Sequence, residues 1–204
     1  MTIKLAVLAS TNATDMQGII DAINAKKLDA KIVCVISNKE SCGAMEKAKK
    51  NHIDAVFIDA KGKDRESFDR EVANEIDERH ADLILMIGYM RLVTPFFVKK
   101  YENRMMNVHP SLLPAFAGGM DLNVHAEVLK RGCKVTGCTL HFVDEGADTG
   151  PIIIQKCVQI SEDETADTLK SKVQAKEVEA FIDAIKLFQE RKIKVEGNVV
   201  RIIN

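Results

Sequence analysis

The sequence predicts an α/β protein: a Rossmann-like, mostly parallel sheet with helices on both faces, then C-terminal strands that are partly antiparallel and a long C-terminal helix. Three observations carry this reading. Short apolar runs alternate with amphipathic stretches of 11 to 15 residues through the first half, the pattern of right-handed crossover units on a parallel sheet. Those runs are apolar almost throughout, so both faces of the sheet must be covered. Beyond residue 132 the pattern changes to two successive strand-like runs and one long helical stretch.

Lys4–Ser10 (KLAVLAS) is a buried strand. Thr11–Asp15 is a polar turn, where Thr14 or Asp15 can cap a helix reaching about Lys26, with Met16, Ile19, Ile20 and Ile23 on one face. Lys31–Ser37 is a second strand, and residues 41–51 are helical, with Lys47, Lys49 and Lys50 in solvent. Ala55–Ile58 is a third strand. Asp64 to about Glu78 is a charged helix whose Phe68, Val72 and Ile76 recur every four residues. Asp82–Ile87 and Met105–Val108 are the fourth and fifth strands. Ligands of such sheets sit beyond the carboxyl ends of the strands, which directs attention to Ser10–Asp15, Gly88–Val93 and Asn107–Pro114. After Asp121 a helix carries Val124 and Val128 and stops at Gly132. Lys134–Val143 and Ile152–Ile160 are strands. Asp163 to about Glu190 is a helix with Leu169, Val173, Phe181, Ile185 and Leu187 toward the core, and Lys192–Val195 with Asn198–Ile202 forms a hairpin around Glu196-Gly197.

With 204 residues, 46% hydrophobic and 29% charged, the chain fits one globular domain. A net charge of -1 provides no general basic field for nucleic acid. No apolar run is long enough to span a membrane, and the amino terminus lacks an export signal, so a cytoplasmic location is expected. The five cysteines are odd in number and irregularly spaced, which favours free thiols. A zinc site from Cys133, Cys138 and His141 is disfavoured, because positions 138 and 141 of a strand point to opposite faces.

Two short pieces carry chemistry. Asn107-Val108-His109-Pro110-Ser111-Leu112-Leu113-Pro114 supplies an amide, an imidazole and two stiffening prolines. Asn107 and His109 are two apart, so in a strand they share a side. Asp144-Glu145-Gly146-Ala147-Asp148-Thr149-Gly150-Pro151 supplies carboxylates on a glycine-bounded loop. Brought together, an amide donor, a His and an Asp can stabilise an oxyanion and move protons. Taken singly, the first piece also reads as a strand end with a buried, satisfied His, and the second as a surface turn.

These pieces, with Val135-Thr136-Gly137-Cys138-Thr139-Leu140-His141-Phe142-Val143 and Gly88-Tyr89-Met90-Arg91-Leu92-Val93, resemble the phosphoribosylglycinamide formyltransferases (GAR transformylases), formyl-folate-dependent enzymes of purine synthesis. The resemblance extends over most of the chain. It implies one formyltransferase domain over 1–204, with a phosphate- and nucleotide-binding half (1–104) and a catalytic, folate-binding half (105–204). It implies transfer of the formyl group of 10-formyltetrahydrofolate to the amine of glycinamide ribonucleotide, without a metal. By the same resemblance Asn107, His109 and Asp148 match the catalytic trio. The formyl folate would contact Arg65, Met90, Arg91, Leu92 and Val93, Asn107, and the loop of Asp144, Glu145, Gly146, Ala147 and Asp148. The ribonucleotide would contact Ala13, Thr14, Asp15 and Gly88, and Gln174, Ala175, Lys176 and Glu177. Without the resemblance, Arg65 reads as a helix-surface charge, Met90, Leu92 and Val93 as core, and Glu177 as a solvated helix residue.

The chain also departs from the family. The usual phosphate turn, Ser-Gly-x-Gly-Ser-Asn, is here Ser10-Thr11-Asn12-Ala13-Thr14-Asp15. Ala13 would be strained at positive φ, and an Asp15 carboxylate facing a phosphate would repel it, although helix amides there could still bind one. The segment Ala117-Gly118-Gly119-Met120-Asp121-Leu122-Asn123 is longer than the usual piece, which begins Pro-Gly. Three other functions compete: a formyltransferase acting on another amine such as an amino sugar nucleotide, a formyltetrahydrofolate hydrolase, and a folate-binding protein without turnover.

Overall fold

The computed structural model describes residues 1–119 and 123–203, and it divides into two compact units. The first comprises Met1–Asn107 with Val143–Glu145; the second comprises Val108–Phe142 with Gly146–Asn204.

The first unit carries β1 (Ile3–Leu8), α1 (Thr14–Asn24), β2 (Ala30–Ser37), α2 (Gly43–Lys50), β3 (Ala55–Phe57), α3 (Arg65–Glu78), β4 (Leu83–Met86), α4 (Pro95–Lys100) and the start of β5 (Met105–His109). Its strands run β3-β2-β1-β4-β5, and each pair is parallel. The near-continuous apolar strands are buried on both faces. Ala6, Leu8, Cys34, Ile36, Ile84 and Met86 form a core cluster with Phe68, Val72 and Ile76 of α3 and with Phe97 and Tyr101, while the alternate residues Leu5, Val7, Val35, Leu83 and Leu85 are equally enclosed. At about 25 cal/mol per Å² of apolar surface, each fully buried Leu, Ile or Phe contributes roughly 1.5–3 kcal/mol.

The four-residue recurrence expected of α3 is met, and Asp64 caps it by accepting from the Ser67 amide at 2.8 Å. The expected cap of α1 is not: neither Thr14 nor Asp15 caps it. Ala13 is the N-cap, in a left-handed conformation (φ 42, ψ 62) with no side-chain cap bond. Lys47 was expected in solvent, but its Nζ donates to the Asn12 carbonyl. Helix α4 carries no periodic signal in the sequence pattern. At six residues it is too short to display a helical period, and its start is marked only by Thr94 and by Pro95 in the first helical turn. Phe97 nevertheless anchors it, packing edge-on to Tyr101 with ring centroids 4.9 Å apart.

The second unit carries the end of β5, α5 (Val124–Lys130), β6 (Val135–Phe142), β7 (Ile152–Gln159), α6 (Ala166–Gln189), β8 (Ile193–Glu196) and β9 (Val199–Ile202). The strand order is β6-β7-β9-β8; β6/β7 and β8/β9 are antiparallel and β7/β9 is parallel. Helix α6 starts at a capping box, in which the Thr165 hydroxyl accepts from the Thr168 amide and the Thr168 hydroxyl accepts from the Thr165 amide. Leu169, Val173, Phe181 and Ile185 are buried, as their spacing predicts, whereas Leu187 is only half-buried. The centre of the long 117–123 segment, residues 120–122, lies outside the described residues.

Candidate active site

In the second unit the site is built on the end of β5 and the loop after β6. His109 is 6% exposed. Its Nδ1 lies 3.2 Å from Asp148 Oδ2, while its Nε2 is buried with no hydrogen-bond partner. Asp148 sits in a left-handed backbone conformation, φ 58, which a short polar side chain tolerates better than most. Its carboxylate serves three neighbours. His109 is one; His141 Nε2 lies 3.7 Å from Oδ1, and the Gly118 amide donates to Oδ2 at 2.9 Å. The neighbouring imidazoles, His109 first and His141 second, hold the Asp148 carboxyl far below the usual carboxylate range, against the opposing effect of burial, with the Gly118 amide adding to them.

His141 is itself oriented. Its Nδ1 is 2.8 Å from the Phe142 carbonyl oxygen. A carbonyl only accepts, so that nitrogen carries a proton and Nε2 is the one turned to Asp148. The sequence reading weighed His141 only as a metal ligand. Strand period could have found its role, since Gly137, Thr139 and His141 alternate along one face of β6. Thr139 is the second residue missed. Its buried hydroxyl donates to the Ser111 carbonyl at 2.7 Å and accepts from the Leu113 amide at 2.9 Å and from Gln155 Nε2 at 2.9 Å. Gln155 also donates to the Leu113 carbonyl at 3.1 Å. This hub fixes the 111–114 loop, in which Leu113-Pro114 is cis and which begins two residues after His109. Gly137 leaves the space needed: a Cβ there would come within 2.0 Å of the Lys156 carbonyl oxygen and 2.9 Å of Leu112.

Asn107 lies in β5 two residues before His109 and is half-buried. On the loop after β6, Asp144 is half-buried and Glu145, Gly146 and Ala147 are exposed. A Cβ on Gly146 would meet the Thr149 hydroxyl at 2.0 Å, so a side chain here would have to turn Thr149 aside. On α6, Glu177 is only 6% exposed, not solvated as its spacing alone suggests, while Gln174 and Lys176 are half-buried and Ala175 is exposed.

In the first unit the turn after β1 meets the segment after β4. The Ser10 hydroxyl donates to Asn38 Oδ1 at 2.6 Å and accepts from the Met90 amide at 3.0 Å. Gly88 is held at φ 61, and a Cβ there would lie 2.1 Å from the Thr11 hydroxyl. Thr14 is exposed, whereas Ala13 and Asp15 are buried. Arg65 Nη2 donates to the Leu92 carbonyl at 2.9 Å and the Val93 carbonyl at 3.3 Å, so it is tied to this segment rather than being a free surface charge. The core reading of that segment is correct only for Val93. Met90 is 44% and Leu92 49% exposed, while the Arg91 guanidinium lies 4.2 Å from the centre of the Phe68 ring. Among the described residues no group of three or more His, Cys, Asp or Glu is arranged to hold a metal ion, and Cys133, Cys138 and His141 form no such group. No helix among them is long and apolar enough to cross a membrane.

Residues 3–185 match the formyl transferase family profile. Phosphoribosylglycinamide formyltransferase of Escherichia coli is 34% identical over 196 residues, 96% of this chain and 91% of that protein. The crystal structure of glycinamide ribonucleotide transformylase 1 from Symbiobacterium toebii superposes with a TM-score of 0.92 at 36% identity, covering 100% of this chain and 95% of the other. The trifunctional purine biosynthetic protein of Bos taurus is 37% identical, but the chain spans only 19% of that protein's length. Match length, identity and fold together establish that the chain belongs to the formyl transferase family.

Proposed function

We propose that residues 1–204 act as one formyltransferase domain. It moves the formyl group of 10-formyltetrahydrofolate to the amine of glycinamide ribonucleotide, giving formyl-glycinamide ribonucleotide and tetrahydrofolate, a step of purine synthesis carried out in the cytoplasm on small molecules alone. The observation that carries the reading is the His109–Asp148 pair, with His109 Nε2 buried and unpartnered. A buried imidazole nitrogen without a partner costs stability unless a ligand satisfies it. With Nδ1 turned to a carboxylate that stays ionised, Nε2 is the nitrogen left for chemistry.

In this reaction the neutral amine attacks the formyl carbon and negative charge develops on the formyl oxygen. His109 in its protonated form and the Asn107 amide donate hydrogen bonds to that oxygen. Asp148 orients the imidazole and assists transfer of the proton, through water, from the attacking nitrogen to the folate nitrogen, which leaves with its bonding pair as the bond to the formyl carbon breaks and tetrahydrofolate forms. The exposed apolar Met90 and Leu92, with Arg65 holding their segment and the Asp144–Asp148 loop, bind the folate. Ala13, Thr14, Asp15 and Gly88, with Gln174 to Glu177, bind the ribonucleotide. The names of the E. coli and S. toebii relatives support this choice of acceptor.

A second reading, transfer to a different amine, is favoured by the Ser10–Asp15 turn, which lacks the family's glycines. The test is a transfer assay with 10-formyltetrahydrofolate, run with and without glycinamide ribonucleotide. Tetrahydrofolate should form only when the ribonucleotide is present. Release without an acceptor would instead mean a hydrolase, and no release in either tube would overturn the acceptor assignment.

A further inference from the structure

A cavity of about 250 Å³ lies within the second unit, walled by Pro110, by Asn123, Val124 and His125 at the start of α5, and by Ala166, Asp167 and Lys170 in the first turns of α6. Nothing in the formyl-transfer reading uses it. Its polar lining is weighted toward donors. His125 is 9% exposed and its Nδ1 is buried without a partner. Asn123 Oδ1 accepts from the Ala126 amide at 3.1 Å, and the side chain's NH₂ adds two donors. Lys170 is exposed, and among the described residues it makes no ion pair; its charge bears on the His125 ring, which burial first and Lys170 second keep from charging. The Ala166 and Asp167 amides precede any intrahelical acceptor of the 24-residue α6, at the positive end of its dipole. The Asp167 carboxylate, exposed, is the negative group of the lining.

We propose that this cavity binds a small oxyanion, a phosphate or a carboxylate, held by Lys170 and His125 at the amino end of α6. The chemistry of the donors selects for negative charge: a cation with no carboxylate partner, a helix amino terminus and an imidazole with an unmet polar atom converge on one space. The volume is below that of sites for drug-sized organic ligands, about 300–1,000 Å³, and suits a small anion with its waters. An oxyanion beside His125 would offset the repulsion from Lys170 and satisfy a ring that the protein leaves unmet. The site is independent of the formyl-transfer reading, and its test needs neither folate nor ribonucleotide.

The test is NMR of the histidine ring carbons of the full chain, titrated separately with inorganic phosphate, acetate and chloride at matched ionic strength. His125→Gln assigns the resonance. Phosphate or acetate should displace the His125 signal saturably, while the His52 and His80 signals stay in place. Saturation by phosphate alone names a phosphate-type ligand, and by acetate alone a carboxylate. Lys170→Met, at an exposed position that folding does not need, should weaken the binding by about tenfold or more. A displacement equal in chloride, no displacement in any salt, or undiminished binding by Lys170→Met would each overturn the proposal.

Discussion

Among the residues other than glycine held in the left-handed region, two belong to the candidate site segments, one in each unit: Ala13 at φ 42, the N-cap of α1, and Asp148 at φ 58, in the loop after β6. Asp148 is held there by its side chain, which engages His109, His141 and the Gly118 amide. Ala13 has no side chain to engage. Its turn is shaped by backbone contacts: the Met16 amide on the Ala13 carbonyl at 3.2 Å, the Ala44 amide on the Thr11 carbonyl at 3.1 Å, and Lys47 on the Asn12 carbonyl. Where the side chain itself engages neighbours, the strain is compensated by the contacts that position it. Where only backbone shape is required, a side chain adds cost and nothing else, and glycine would serve better.

The strongest way to break this comparison is to remove the working groups. His109→Ala or Asp148→Asn should lower formyl transfer by about 10²- to 10⁴-fold with little loss of folate binding, measured by steady-state kinetics and fluorescence titration; near-normal turnover would show that the left-handed Asp148 is merely structural. The depressed carboxyl of Asp148 gives that contrast a pH signature. Its ionised form contributes stability that is fully present above the unfolded aspartate value of about 3.9 and is lost as pH falls through the lower folded value. The melting-temperature gap between the parent and Asp148→Asn should therefore be open near neutrality and narrow in strong acid.

Next in size are changes to the scaffold of the loop after His109. Gly137→Ala forces a Cβ against the Lys156 carbonyl at 2.0 Å, and should cost about 1–3 kcal/mol in denaturant unfolding. Thr139→Val leaves the Ser111 carbonyl, the Leu113 amide and Gln155 without the shared hydroxyl. It should cost about 1–3 kcal/mol and lower kcat more than it raises KM, because the 111–114 loop follows His109; an unchanged kcat would separate the hub from the chemistry. The smallest effect sharpens the other half of the comparison. Ala13→Gly should relieve left-handed strain and stabilise the chain by up to about 1–2 kcal/mol, less the greater chain entropy of glycine; a destabilised variant would mean that the Ala13 methyl packs more than it strains.

Much of the fold was legible because its cause is local. The apolar runs of β1, β2 and β4 and the four-residue recurrence of Phe68, Val72 and Ile76 are properties of neighbours in the chain, and burial follows from them. Helix α4 was not legible, since six residues show no period. The candidate site was legible where a motif names it, as with His109 and Asp148. It was not legible where residues of one type serve opposite ends. Met90 and Leu92 share the apolar character of Val93, and spacing cannot tell that they face outward while Val93 faces in. Glu177 has the charge of a surface residue and is buried.

The sequence by itself determined the order and kind of the long elements and the two pieces of chain that hold the candidate working groups. It did so because hydrophobic period, turn chemistry and residue type act over a few neighbours. Only the tertiary structure decided that Asp148 shares its carboxylate between His109 and His141, that Thr139 locks the loop after His109, and that Nε2 of His109 is left unsatisfied. The Thr139 contacts join residues 26 and 28 positions apart and the His109–Asp148 pair residues 39 apart, and their strength depends on burial and on donor geometry, which exist only once distant segments have been brought together.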